Sequence, residues 1–290
     1  MIKIERLLVA TDLSARSDRA VERAVVMAAA SDAKLTVLHV VSSGLSDIMA
    51  DRQIEDALRQ IRDHLESLPL AKERSIDVKI VVGQGSDDIL DAAEDLDADL
   101  IVLGIHRNET AISMSLGATV ERVIKMGTRP VLVVKSRARH PYWKIMIGVD
   151  FSEHSQHAAE FALRLNRDAE FILVHAYDVP FKGFMTSEDS HAQFKELHAG
   201  EMKALGDAVF EAAKGTDGRP VHYSPVMRRG SAHQVIREQV ERSKPDVLVI
   251  GTHGRTGIAH ALLGSVAKDL IRSQPCDVLA VKARQPTASS

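Results

Sequence analysis

The chain contains a single cysteine, Cys276, among 290 residues. No internal disulfide can form, so a reducing, cytoplasmic setting is the expectation. No uninterrupted apolar run approaches the ~18 residues that a membrane-spanning helix needs. The amino terminus, "MIKIERLLVATD", interleaves charges with apolar residues and reads as a strand, not a signal peptide. The formal net charge is only −3 and the basic residues are scattered. That excludes a protein built around a nucleic-acid interface. The 13 histidines form no HExxH and no clustered Cys/His spacing, so no metal site is expected. A GxxxxGK[ST] phosphate loop is also missing.

What the chain does have is two copies of one plan. "LLVATDLS" at 7–14 returns as "IMIGVDFS" at 145–152, and "AKLTVLHVV" at 33–41 returns as "AEFILVHAY" at 169–177. "GSDDILDAA" at 85–93 is echoed by "GSAHQVIRE" at 230–238, and "DADLIVLGIH" at 97–106 by "KPDVLVIGTH" at 244–253. "PVLVVKSRA" at 130–138 matches "DVLAVKARQ" at 277–285. A duplication of this length gives two domains, 1–137 and 142–284, joined by the short polar stretch "SRARHPY" at 136–142. So short a linker implies repeats packed together.

Within each repeat, short β-branched apolar runs alternate with amphipathic helical patterns. In the first repeat the runs lie near 3–11, 34–41, 76–82, 99–104 and 130–135. Such alternation predicts a parallel sheet covered by helices on both faces, with right-handed crossovers. Ligands of such sheets bind beyond the carboxyl ends of the strands.

Three stretches of the second repeat meet at that edge. "GTHGRTGIAHALLGSVAKDLI" at 251–271 places Gly251, Gly254, Gly264 and Ser265 across a strand-to-helix junction. Gly251 and Gly254 can take positive φ and admit a ligand close to the backbone. Gly264 and Ser265 open a helix whose first amides lack partners, which suits a phosphate. His253 and Arg255 could add cationic contacts. Asp150, in "GVDFS", ends the first strand and can accept from a ribose or an adenine amine; the alternative is a local role beside the Ser152 N-cap. Ala176, in "LVHAY", ends the second strand. In the first repeat Gly104 persists, but Arg107 replaces the second glycine, Glu109 adds negative charge, and Gly117 is followed by Ala118, with Thr119 next.

The G-x2-G-x9-G-S run, "VDFS" and "LVHA" together resemble the universal stress protein family, and the duplication resembles its tandem members. The resemblance spans nearly the whole chain. It implies an α/β fold of two open, five-stranded parallel sheets in the order 3-2-1-4-5, packed as a pseudo-dimer through the final strands. It further implies a bound adenine nucleotide, ATP, which could bring Mg²⁺ through its own phosphates. By position, Asp150 is then the adenosine-side carboxylate, Val149 and Ala176 line the base, and Gly251, Gly254, Gly264, Ser265 and Val266 surround ribose and phosphates. The expected function is an ATP-binding regulator of stress adaptation, with nucleotide held mainly by the second repeat. No nucleophile–base pair or other catalytic set is evident, so at most slow hydrolysis is expected. The alternative is an interaction scaffold, or a binder of a small apolar ligand, with a vestigial nucleotide site. The aromatic stretch "YDVPFKGFMTSEDS" at 177–190 reads as interdomain packing or as a lid.

Overall fold

A computed structural model describes residues 3–105, 117–177, 188–211, 213–253, 263–273 and 276–282, without the side chains of 188–195. The first repeat runs β1 (Arg6–Thr11), α1 (Ala15–Ser31), β2 (Lys34–Ser42), α2 (Asp47–Ser67), β3 (Ile76–Gly83), α3 (Ser86–Asp95), β4 (Leu100–Gly104), α4 (Ala118–Met126) and β5 (Val131–Val134). The second runs β6 (Lys144–Val149), α5 (Glu153–Leu165), β7 (Glu170–Tyr177), α6 (Glu188–Gly206), β8 (Tyr223–Arg229), α7 (Ala232–Ser243), β9 (Val247–Gly251), α8 (Ser265–Ser273) and β10 (Asp277–Val281). A wider, π-type turn at Asp207–Glu211 extends α6.

The first helix of each repeat starts by the same local chemistry. Ser14 and Ser152 cap α1 and α5, accepting from the amides of Ser17 at 3.3 Å and Ser155 at 3.2 Å. Aspartates set the other edge of the sheet. Asp99 Oδ2 accepts from the amides of Glu5 and Arg6, and Asp246 Oδ2 from those of Trp143 and Lys144. Each carboxylate thus anchors the start of the neighbouring first strand.

The strand order is β3-β2-β1-β4-β5-β10-β9-β6-β7-β8. Each half has the order 3-2-1-4-5 and is parallel throughout. The halves join antiparallel, with Val133 opposite Val278, Leu132 opposite Leu279 and Val131 opposite Ala280. The result is one continuous ten-stranded sheet, which buries both inner edges and leaves β3 and β8 at the outer ones.

Alternation along the strands divides the core between the two faces. Leu7, Val9, Leu132, Leu279 and Phe171 lie on the face covered by α1, α2, α5 and α6. Leu8, Ile101, Val133, Val278 and Ile250 lie on the face covered by α3, α4, α7 and α8. Both clusters cross the junction, so the two repeats share one core.

Polar contacts reinforce the junction. Lys282 Nζ, just after β10, donates to the carbonyls of Lys125 and Gly127 at 2.6 Å each and so caps the end of α4 in the other repeat. Asp277 is fully buried and accepts from the amides of Lys135 and Ser136, from Tyr142 Oη, and lies 3.6 Å from Arg23 Nε. Arg23 also donates to the His140 carbonyl and lies over the Tyr142 ring. This network fastens α1 and the linker to the last strand.

Candidate functional site

At the carboxyl edge of the second repeat, β6 and β7 run in parallel register up to Val149 opposite His175. Asp150 and Ala176 are the next residues along. Val149 is buried and Ala176 half-buried, and Ala176 packs with Val226 and Leu263 against the core face beneath α7 and α8. Val149 instead packs on the opposite face, in the cluster under α1 and α5. In the first repeat Val40, Val81 and Ile105 pack against the same cluster as Ala176.

Asp150 Oδ1 accepts from the Ser152 amide at 3.1 Å and from its hydroxyl at 2.5 Å. Asp12 likewise accepts from the Ser14 amide at 3.0 Å. The residues between, Leu13 and Phe151, share the left-handed conformation with φ 62°. This turn bends the chain from strand into helix, so the aspartate has a structural duty whatever it binds. Both bonds at Asp150 fall on Oδ1.

Gly251 ends β9, but it does not adopt positive φ. The reason for glycine is steric: a Cβ there would stand 2.9 Å from the His154 carbonyl carbon and 2.9 Å from its Cβ. Gly104 is placed identically, with a Cβ falling 2.9 Å from the Ser17 Cα. Both glycines let a strand pass close under the first helix of its repeat. The positive φ expected at Gly251 from the sequence is thus replaced by a packing requirement.

Beyond Gly251 the chain is tied at both ends of the glycine loop. The buried Thr252 donates its amide to Val281 and accepts the Gly264 amide at 2.9 Å. Gly264 also lacks positive φ; its Cβ would lie 3.3 Å from the Thr252 carbonyl. Thr252 gave no sequence signal because its role is backbone bonding. Ser265 and Val266 are exposed in the first turn of α8, at a helix N-terminus. The equivalent residue at the start of α4 is Ala118, after Gly117, and no side chain caps that helix. Gly254 and Arg255, with Arg107 and Glu109 of the first repeat, lie outside the described residues, as does most of 177–190.

His253 hydrogen-bonds Thr252 Oγ1 through Nδ1 at 3.0 Å, and its ring lies 5.0 Å from that of His154 on α5. Burial, and then the neighbouring His253, push the His154 imidazole below its ordinary pKa, against the pull of Asp150. His154 had no motif to mark it. Its place follows from the close approach of α5 to Gly251.

Among the described residues no group of three or more His, Cys, Asp or Glu could hold a metal ion, and no helix is long and apolar enough to cross a membrane.

The family model described as the universal stress protein family matches residues 3–135 and again 141–282. A universal stress protein of Mycolicibacterium smegmatis is 26% identical over 308 aligned positions, covering 96% of this chain and 97% of that one. One from Methanocaldococcus jannaschii is 36% identical over 145 residues, which is 49% of this chain and 82% of that protein. Among solved structures, a universal stress protein from Archaeoglobus fulgidus covers 97% of this chain and all of its own, with a TM-score of 0.72 at 19% identity. That last likeness is one of fold.

Proposed function

The chain belongs to the universal stress protein family, and on that premise we propose that it is a cytoplasmic regulatory protein that binds ATP in its second repeat. The observation that carries this reading is the exposed start of α8, where Gly264 and Ser265 stand at the same sheet edge as Asp150 and Ala176. Ser265 and the first α8 amides would hold phosphate oxygens, and Gly254 would keep the loop clear of side chains. Asp150 would accept from the nucleoside, and Val149 and Ala176 would line the base. ATP supplies the phosphates through which Mg²⁺ can be carried.

The first repeat lacks the serine, and carries Arg107 and Glu109 in its loop, so we assign the nucleotide to the second. The antiparallel junction of β5 and β10 supports reading the pair as a pseudo-dimer within one chain. The test is calorimetric titration of ATP into the wild type and Gly254→Arg. One nucleotide per chain, lost in the variant, is the expected result. Equal binding in both would overturn the loop assignment. Two equivalent nucleotides per chain would overturn the preference for the second repeat. No binding to the wild type would favour an interaction scaffold.

A further inference from the structure

The first repeat holds a cavity that the nucleotide reading does not use. It has a volume of about 170 Å³ and lies between α1 and α2, over the carboxyl end of β1, on the face opposite α4. Leu13, Val21 and Ile61 form its apolar lining, and Asp18, Gln60 and His64 supply the polar groups.

Those polar groups are unevenly satisfied. The Gln60 amide donates to the Leu13 carbonyl at 3.1 Å. His64 Nε2 is buried and has no hydrogen-bond partner among the described residues. The Asp18 carboxylate makes no hydrogen bond or ion pair among the described residues, and no lysine or arginine lines the space. Asp18 and the buried His64 Nε2 line the same cavity, and a buried polar atom without a partner is unfavourable.

The second repeat carries different side chains at the equivalent positions. Phe151 stands where the first repeat has Leu13, with the same φ of 62°. Its ring packs 4.3 Å from His175 and 6.0 Å from His198 of α6, and His198 also stacks 5.8 Å from Tyr177. Gln156 replaces Asp18 and donates to Glu160 at 3.1 Å, while Ala159 replaces Val21. One repeat therefore has an aromatic cluster here, and the other a cavity with an acidic lining residue. Duplication alone gives no reason for that difference.

We propose that the cavity between α1 and α2 is a binding site for a small organic cation, an ammonium group on an apolar body, with Asp18 taking the charge. His64 and Gln60 would meet its polar end, and Leu13, Val21 and Ile61 its apolar body. A cavity of roughly 150 Å³ accommodates a benzene ring, so the volume suits a ligand of that order.

Benzylammonium is the probe, titrated into the full chain without nucleotide and followed by amide chemical shifts. Saturable binding with shifts centred on α1 and α2 is expected. Asp18→Asn should weaken it by about tenfold or more, the worth of one charge-assisted hydrogen bond. Benzyl alcohol should bind the wild type correspondingly less well. Leu13→Phe installs the side chain that the second repeat tolerates in the same backbone conformation, and should abolish binding while the chain stays folded by circular dichroism. Absent or unsaturable shifts in the wild type would overturn the proposal. So would equal binding by Asp18→Asn, or equal affinity for the alcohol. Neither variant touches the second repeat, so these outcomes are independent of ATP binding.

Discussion

Tyr142 Oη donates a 2.8 Å hydrogen bond to Asp277 Oδ2, joining the linker to the first residue of β10 at a fully buried carboxylate. Arg23 completes the group at 3.6 Å. The two repeats are thus held by their shared core and by polar contacts that include this network. Burial, then the Asp277 charge, raise the Tyr142 pKa well above its ordinary value.

Removing the carboxylate should therefore be costly. Asp277→Ala leaves Arg23 buried without its counter-ion, and a loss of about 3–5 kcal/mol is expected. Tyr142→Phe removes one bond and should cost about 1–3 kcal/mol. Urea unfolding of both variants checks the order. A Tyr142→Phe variant less stable than Asp277→Ala would contradict it.

Gly251→Ala should destabilise the protein in the absence of any nucleotide. The added methyl meets helix backbone 2.9 Å away, and overpacking of this kind costs about 1–3 kcal/mol. Gly104→Ala should behave alike in the first repeat. A thermal midpoint unchanged from wild type in either variant would show that the close approach is not rigid.

Glu121 on α4 receives Lys125 at 2.7 Å and, across the repeat junction, Lys268 of α8 at 3.2 Å. The Lys125 hydrogen bond, then that of Lys268, hold the Glu121 pKa below its usual value despite some burial. Because the folded pKa is depressed, the stabilisation is fully present above the unfolded glutamate value of ~4.3 and is lost as pH falls through the folded one. Wild type should exceed Glu121→Gln by about 0.5–1 kcal/mol at pH 7. Unfolding curves taken from pH 7 to pH 3 should show that gap closing on the acid side.

Cys276 should be inert in the folded chain. Burial, then the charge of Asp277, push its thiol up to about 12, so almost no thiolate exists at neutral pH. Labelling by a thiol-reactive dye should proceed only as fast as the protein opens. Labelling at the rate of a free thiol in native buffer would refute this.

The sequence by itself determined the duplication, the alternation of strands and helices, and the residues able to gather at the sheet edge. Those features are local or periodic, so they are written in neighbouring residues. Thus Asp150, Ala176 and Ser265 could be selected before any contact was known. That β5 and β10 would meet was expected from the family resemblance alone, and only the tertiary structure showed them paired antiparallel in one sheet, because pairing of distant edges leaves no local pattern. It also gave Gly251 its reason, the passage of α5 overhead, which depends on a contact across 97 residues between His154 and Gly251. The cavity beside Asp18 was likewise invisible in sequence. Its lining comes from α1, α2 and the end of β1, which only packing brings together.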